Sequence, residues 1–222
     1  MKAVCLVSGG MDSTTLAYYA RDQGYDLHLL HVNYGQKTEG RERNAARKIS
    51  ELLGAREFIE IDIGYLRKFG DSSLTDPSIQ VDVFDESRAH VPNTYVPFRN
   101  ANLLSMATSY AESRKADAVF IGVQALDYSG YPDCRPQFID AFQKVVDLGT
   151  RDDTHIRLVT PFVSMTKYDI LLLGTRLGVP YEHTWSCYQR EDRACGVCGS
   201  CHFRQEAFRA AGIKDPIPYH EE

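Results

Sequence analysis

Short apolar runs and amphipathic stretches alternate along most of this chain. The apolar runs are short enough to be buried strands, and they cover residues 3–7, 26–33, 57–62, 117–122 and 156–160. Apolar residues at spacings of three and four predict helices over residues 14–22, 38–53, 99–114, 137–148, 165–177 and 204–211. Repeated strand–helix units with short connections predict an α/β fold, with a parallel twisted sheet and helices on both of its faces.

Two stretches need separate comment. The helix over residues 137–148 is expected to turn one apolar side to the core, made of Phe138, Ala141, Phe142 and Val145. Residues 71–95 show little periodicity, and so long a stretch without a pattern is unusual inside a compact domain. It is interpreted as a mobile loop beside the active site or a partner, or alternatively as a tolerated surface insertion.

Composition limits the setting and the partners. The chain has 222 residues and a formal net charge of −5, without a block of Lys and Arg, so a large nucleic-acid footprint is not indicated. No signal peptide and no apolar run of about 20 residues is visible, which indicates a cytoplasmic protein with no membrane contact. In that compartment the six cysteines are expected to be thiols or metal ligands.

The stretch from Ser8 to Ser13, Ser-Gly-Gly-Met-Asp-Ser, lies between the first strand and the first helix. A helix N-terminus has backbone N–H groups without intrahelical partners and favours anions. Gly9 and Gly10 let the backbone approach a phosphate closely. Asp12 would repel phosphate unless a cation lies between them, which indicates Mg²⁺ and a polyphosphate. A plain strand–helix turn is the alternative, and the loop has neither the Walker A nor the Rossmann pattern.

Other chemical groups also fall where parallel strands end, which is where such sheets bind ligands. Residues 31–36 lie at the carboxyl end of the second strand. Arg99 and Lys167 each lie in the first turn of a predicted helix, where a cation is unfavourable unless it faces an anion. That anion is a phosphate, a substrate carboxylate or, in the simpler alternative, an ordinary salt-bridge partner.

The loop after the fourth strand is dense in polar and aromatic groups. Tyr128 and Tyr131 could stack on a heterocycle, Asp133 could bind a base edge or Mg²⁺, and Arg135 could pair with a carboxylate. This mixture predicts a substrate-binding loop.

Four of the six cysteines lie close together near the end of the sequence. Cys187, Cys195, Cys198 and Cys201 follow the spacing C-x7-C-x2-C-x2-C. Four thiolates around one ion make a closed structural zinc site. An iron–sulfur cluster is the rival interpretation, but the C-x3-C-P continuation of ferredoxins is absent. Zinc would hold the C-terminal segment against the main domain. Residues 1–180 are therefore predicted as an α/β domain that binds the polyphosphate, and residues 181–222 as a zinc-binding segment.

The loop Ser-Gly-Gly-x-Asp-Ser after a first strand resembles the PP-loop of the N-type ATP pyrophosphatases, which have an adenine nucleotide alpha hydrolase-like fold. More specific stretches follow in order: Asn-Tyr-Gly-Gln, Val-Pro-Phe-Arg-Asn, Asp-Tyr-Ser-Gly-Tyr-Pro-Asp-Cys-Arg-Pro, Thr-Trp-Ser-Cys-Tyr and Cys-Gly-x-Cys-x-Ser-Cys. From Val7 to His202 the chain resembles the 7-cyano-7-deazaguanine synthase family of queuosine biosynthesis.

The resemblance implies an ATP-dependent C–N ligase. Its substrates would be 7-carboxy-7-deazaguanine, ammonia and ATP, and it would form an acyl adenylate, then the amide, then the nitrile, with release of AMP and pyrophosphate. Mg²⁺ and Zn²⁺ would be its metals, and it would be a homodimer without stably bound nucleic acid. Asp12, Lys167 and Arg99 are the candidate catalytic residues. The candidate ATP contacts are Ser8, Gly9, Gly10, Met11, Asp12, Ser13, Thr14, His31 and Asn33.

Two other functions are compatible with parts of the pattern. A PP-loop tRNA sulfurtransferase also adenylates a base, but the acidic charge and the lack of an added RNA-binding module disfavour it. A zinc-stabilised nucleotide- or nucleic-acid-binding module is the non-enzymatic alternative, and the density of polar groups at four strand ends disfavours it.

Overall fold

A five-stranded parallel sheet forms the centre of the computed structural model, which describes residues 1–87, 90–124 and 130–220. The strands stand in the order β3-β2-β1-β4-β5. In chain order they are β1 (Lys2–Leu6), β2 (Asp26–Asn33), β3 (Glu57–Asp62), β4 (Ala118–Phe120) and β5 (Arg157–Val159). Strands β2 and β3 lie on one side of β1, and strands β4 and β5 lie on the other. The connections that follow β1 and β4 therefore run over opposite faces of the sheet, which leaves a crevice at the carboxyl ends of these two strands.

In the described part of the chain, six α-helices cover both faces of this sheet, as the sequence predicts. They are α1 (Met11–Asp22), α2 (Glu39–Leu53), α3 (Arg99–Arg114), α4 (Pro136–Gly149), α5 (Lys167–Arg176) and α6 (Gly199–Ala210). Alternate residues of β1 point to opposite faces. Cys5 packs in the cluster with α1, α2, α5 and α6, whereas Val4 packs in the cluster with α3 and α4.

Most predicted elements are present, and the differences lie at their ends. α1 begins at Met11 instead of residue 14, and α6 begins at Gly199 instead of residue 204. Strands β4 and β5 have three residues each. The predicted orientation of α4 was wrong in part. Phe138 and Phe142 pack against the core as expected, but Ala141 is exposed and Val145 is 59% exposed, because α4 buries Ile139 and Val146 instead.

The C-terminal segment packs back over the first half of the chain. Trp185 lies in a buried cluster with Ala45, Val81 and three of the cysteines, and Phe208 joins the core beside α1. Arg204 is buried and binds Asp215 through two hydrogen bonds of 2.8 and 2.9 Å. Within the described residues, no helix is long and apolar enough to cross a membrane.

Candidate active site

A cavity of about 820 Å³ opens at the carboxyl ends of β1, β2 and β4. The loop from Ser8 to Ser13 and Lys167 line one part of it. Asp82, Phe84, Asp85 and residues 90–92 line another part, together with the start of α6. Tyr34, Arg99 and Tyr131 lie in the wall as well. The sheet edge predicted to bind ligands is therefore the edge where the cavity lies.

The loop from Ser8 to Ser13, called the phosphate loop below, is held in shape by its two serine side chains. The Ser8 and Ser13 hydroxyls are 3.0 Å apart, Ser13 Oγ accepts the Ser8 N–H at 3.1 Å, and Ser8 Oγ accepts the Gly10 N–H at 3.3 Å. Gly10 occupies the N-cap of α1, and no side chain of the described residues caps that helix. Because the first turn is not capped, its N–H groups are available to an anion.

Gly9 is required by both conformation and space. Its φ is +80°, and a Cβ added there would lie 2.7 Å from Ala45 Cβ and 2.7 Å from the Glu42 carbonyl oxygen. Its own carbonyl accepts the Trp185 N–H at 2.9 Å, so the C-terminal segment is attached directly to the phosphate loop. The loop can keep this shape only with glycine at this position.

Asp12 and Lys167 form an ion pair at the mouth of the loop. Lys167 Nζ lies 2.5 Å from Asp12 Oδ2 and 2.6 Å from Gln124 Oε1. Asp12 Oδ1 is buried and has no hydrogen-bond partner among the described residues. An unpartnered carboxylate oxygen beside a phosphate loop fits a Mg²⁺ ligand, since Mg²⁺ is bound through one or two carboxylates plus phosphate oxygens.

Arg99 begins α3 and extends into the cavity. Its Nη1 donates to the Tyr34 hydroxyl at 3.1 Å, and its guanidinium carbon lies 5.1 Å from the centre of the Tyr34 ring. Its Nε is buried without a partner within residues 1–87, 90–124 and 130–220. The arginine therefore has a donor left for an anionic ligand.

His31 and Asn33, which are predicted to contact ATP, form a hydrogen bond with each other. His31 is fully buried, with Nδ1 2.8 Å from the Val7 carbonyl oxygen and Nε2 2.9 Å from Asn33 Oδ1. Burial lowers the pKa of His31, so the ring is neutral at pH 7. These side chains, like buried Thr14, lie behind the cavity wall, and their contact with ATP stays a prediction.

The predicted substrate residues fall into three groups. Tyr131 and Arg135 line the cavity, and the Tyr131 hydroxyl lies 2.7 Å from Thr94 Oγ1. Asp133 is instead 3% exposed, and its carboxylate accepts the Asn100 N–H of α3 at 2.9 Å. It therefore caps α3, and burial raises its pKa. Tyr128 lies outside the described residues.

The four cysteines predicted as metal ligands converge. Their sulfur atoms all lie within 4.8 Å of one another, and those of Cys195 and Cys201 are 3.8 Å apart. Four sulfurs bound to one zinc ion in a tetrahedron are about 3.8 Å apart, so the arrangement fits zinc. Backbone N–H groups point at two of the sulfurs, from Cys195 to Cys187 Sγ and from Cys198 to Cys195 Sγ, each at 3.4 Å.

The stretch without sequence periodicity forms part of the cavity wall. Val83 makes an antiparallel bridge to Cys198, and the Phe84 N–H donates to the Val197 carbonyl at 2.9 Å. Phe84 also stacks on His202. Described residues of the stretch 71–95 therefore lie beside the cavity and contact the cysteine cluster through Val83 and Phe84, and the mobility of this loop stays a prediction.

Glu42 in the first turn of α2 was missed by the sequence analysis. It lines the cavity, and its carboxylate accepts from Thr38 Oγ1 at 2.7 Å and from Gln36 Nε2 at 3.1 Å. Burial raises its pKa to about 7, although both hydrogen bonds and the charge of Arg99 lower it. The only sequence signal was an acidic residue shortly after the Asn-Tyr-Gly-Gln stretch.

The sheet order, the uncapped serine–glycine loop and the Asp12–Lys167 pair define an α/β fold of the PP-loop class. A solved structure titled a 4-thiouridine synthetase–RNA complex with bound ATP has this fold, with a TM-score of 0.52, 17% identity, and coverage of 94% of this chain and 53% of that one. A predicted subunit of tRNA methyltransferase from Methanocaldococcus jannaschii gives a TM-score of 0.51 at 15% identity, covering 100% of this chain and 94% of that one.

Within this class, the chain belongs to the family described as queuosine biosynthesis protein QueC, whose model matches residues 2–212. A relative from Methanosphaerula palustris named 7-cyano-7-deazaguanine synthase is 71% identical over 100% of both chains. One of the same name from Methanospirillum hungatei is 62% identical over 99% of this chain and 100% of its own.

Proposed function

We propose that this protein converts 7-carboxy-7-deazaguanine and ammonia to 7-cyano-7-deazaguanine at the expense of ATP, as a C–N ligase. The observation that carries the proposal is the 71% identity, over the full length of both chains, to a relative named for that product. The cavity supports it, because the loop from Ser8 to Ser13 lines the same space as Tyr131 and Arg135.

The phosphate loop would bind the triphosphate through the first-turn N–H groups of α1. Asp12 would help to hold Mg²⁺ through its unpartnered oxygen, and Lys167 would neutralise charge on the departing pyrophosphate. Arg99 would face the substrate carboxylate or a phosphate. Preorganised cations of this kind stabilise charge that develops in the transition state, which is what carboxylate adenylation requires.

The chemistry then needs two activations. In the first, the substrate carboxylate attacks the α-phosphorus, pyrophosphate leaves, and ammonia displaces AMP to give the amide. In the second, the amide oxygen is adenylated, and loss of AMP with two N–H protons leaves the nitrile. Both activations use the same groups, since each transfers AMP to an oxygen on the same carbon.

The other assignments belong to the proposal too. Zinc bound by the four cysteines would hold residues 181–222 against residues 1–180 and support the part of the cavity wall that contains Phe84. Ammonia would be taken up free or from a separate partner. A homodimer, a cytoplasmic setting and the absence of stably bound nucleic acid stay predictions from the sequence.

The test is product analysis by mass spectrometry. Purified protein is incubated with Mg²⁺-ATP, ammonium and 7-carboxy-7-deazaguanine, and AMP, pyrophosphate and the nitrile are expected. Omitting ammonium should remove both the amide and the nitrile. AMP formation that depends on tRNA and a sulfur donor, with no product from the deazapurine, would instead establish the sulfurtransferase alternative.

A pair of lysine variants tests the assigned role. Lys167→Met should lower kcat about 100- to 1,000-fold, because it removes a cation aimed at the reacting phosphates. Lys48→Met is the matched control, since Lys48 pairs with Glu51 on the surface of α2. Equal activity of the two variants would contradict the role assigned to Lys167.

A further inference from the structure

The substrate in the proposed reaction presents two kinds of chemistry at different edges. Its carboxylate is an anion, whereas its 2-amino-pyrimidinone edge carries two adjacent N–H donors. A carboxylate side chain has two acceptor oxygens and can accept both of those donors. Of the substrate residues predicted from the sequence and described in the structure, Tyr131 and Arg135 line the cavity, but neither is a carboxylate.

Glu42 supplies such an acceptor, and its orientation is fixed. The Tyr34 N–H donates to Gln36 Oε1 at 2.9 Å, which turns the Gln36 amide so that its Nε2 faces Glu42. The hydroxyl of Thr38 donates to the other carboxylate oxygen. Each oxygen thus receives one hydrogen bond from the protein and retains acceptor capacity for a ligand.

Tyr34 connects Glu42 to the cation of the site. Its backbone N–H binds Gln36, which binds Glu42, while its hydroxyl accepts from Arg99. One residue therefore positions an acceptor group and a cation in the same cavity wall. A flat ligand with donors at one edge and a carboxylate at the other has the matching chemistry.

We infer that Glu42 is the specificity-determining residue that reads the N1–H and 2-amino donors of the deazapurine. The inference rests on the proposed function for the identity of the ligand. The adenine of ATP is a poorer match, because its amino group lies between two acceptor nitrogens that would face the second carboxylate oxygen.

The test compares Glu42→Gln with wild-type protein in two assays. Steady-state kinetics give KM for the deazapurine and for ATP, and titration calorimetry gives Kd for 7-carboxy-7-deazaguanine. Glu42→Gln is expected to raise KM and Kd for the deazapurine about 10- to 100-fold and to change KM for ATP less than about 3-fold. Glu39→Gln is the matched control, since Glu39 lies one turn earlier in α2, outside the cavity lining, and pairs with Arg43.

A substrate analogue without the 2-amino group separates recognition from a merely structural role. Wild-type protein should bind this analogue more weakly than the true substrate, and Glu42→Gln should lose that discrimination. If Glu42→Gln discriminated against the analogue as well as the wild type does, or raised only the KM for ATP, the inference would be overturned. Nitrile formation by the wild-type protein would still support the proposed function in that case. Binding that depends on Glu42 without any nitrile formation would uphold recognition and reject the proposed reaction.

Discussion

The ring of Phe84 stacks on the ring of His202, with centroids 3.9 Å apart and planes inclined by 15°. Phe84 also meets Phe203 edge-on, at 4.9 Å between centroids. One ring belongs to the loop between β3 and α3, and the other follows the last cysteine of the cluster directly. The stack therefore attaches a wall of the cavity to the cysteine cluster.

Truncating this ring should weaken binding of the deazapurine. Phe84→Ala removes the stack and part of the wall, and we expect KM for the deazapurine to rise about 3- to 10-fold while KM for ATP stays within 2-fold. Steady-state kinetics measure both constants. Phe69→Ala is the control, since Phe69 is 72% exposed outside the cavity lining, and an equal effect of the two substitutions would contradict the prediction.

Removing one thiolate should remove the zinc ion. Cys201→Ser should reduce bound zinc from about one ion per chain to a small fraction and lower Tm by on the order of 10 °C, because metal binding contributes directly to folding. Elemental analysis and thermal unfolding provide the two readouts. Cys134→Ala should retain its zinc, because Cys134 lies outside the cluster and its sulfur accepts from Asn100. Iron in place of zinc would restore the iron–sulfur alternative.

The glycine of the phosphate loop can be tested against a glycine of the same conformation. Gly9 and Gly24 both have φ of +80°, but a Cβ at Gly24 would meet no atom within 4 Å. Gly24→Ala should cost about 1 kcal/mol of stability and leave AMP formation unchanged. Gly9→Ala should slow AMP formation at least about 100-fold, because the added methyl displaces the loop from α2. Normal AMP formation by Gly9→Ala would show that the loop tolerates the shift.

The raised pKa of Glu42 predicts a pH-dependent change in stability. Its carboxyl titrates near 7 in the folded protein and near 4.5 when unfolded, so the folded state holds the proton to higher pH. The contribution of Glu42 to the free energy of unfolding of the wild type should therefore fall as the pH rises from about 4.5 to 7. Glu42→Gln has no titrating carboxyl at this position. The difference in Tm, variant minus wild type, should therefore increase between pH 5 and pH 8. A difference that does not change with pH would contradict the assigned pKa.

Several parts of the molecule were determined by sequence alone, because the signals lie within a few residues of one another. The alternation of apolar runs and helical spacing predicted β2, β3 and α3 at their observed bounds. The serine–glycine loop and the C-x2-C-x2-C spacing located the phosphate loop and the cysteine cluster. In each case the backbone geometry follows from local chain chemistry, so the tertiary structure has little freedom to change it.

The tertiary structure decided which side chains face the cavity. Asp133 caps α3 and His31 pairs with Asn33, although both had been assigned to ligands from their position at strand ends. Glu42 enters the cavity because Gln36 and Thr38 orient it, and Phe84 becomes part of the wall through a residue 118 positions later in the chain. Such contacts depend on how distant segments pack together, and a periodic pattern within one segment carries no information about its partner.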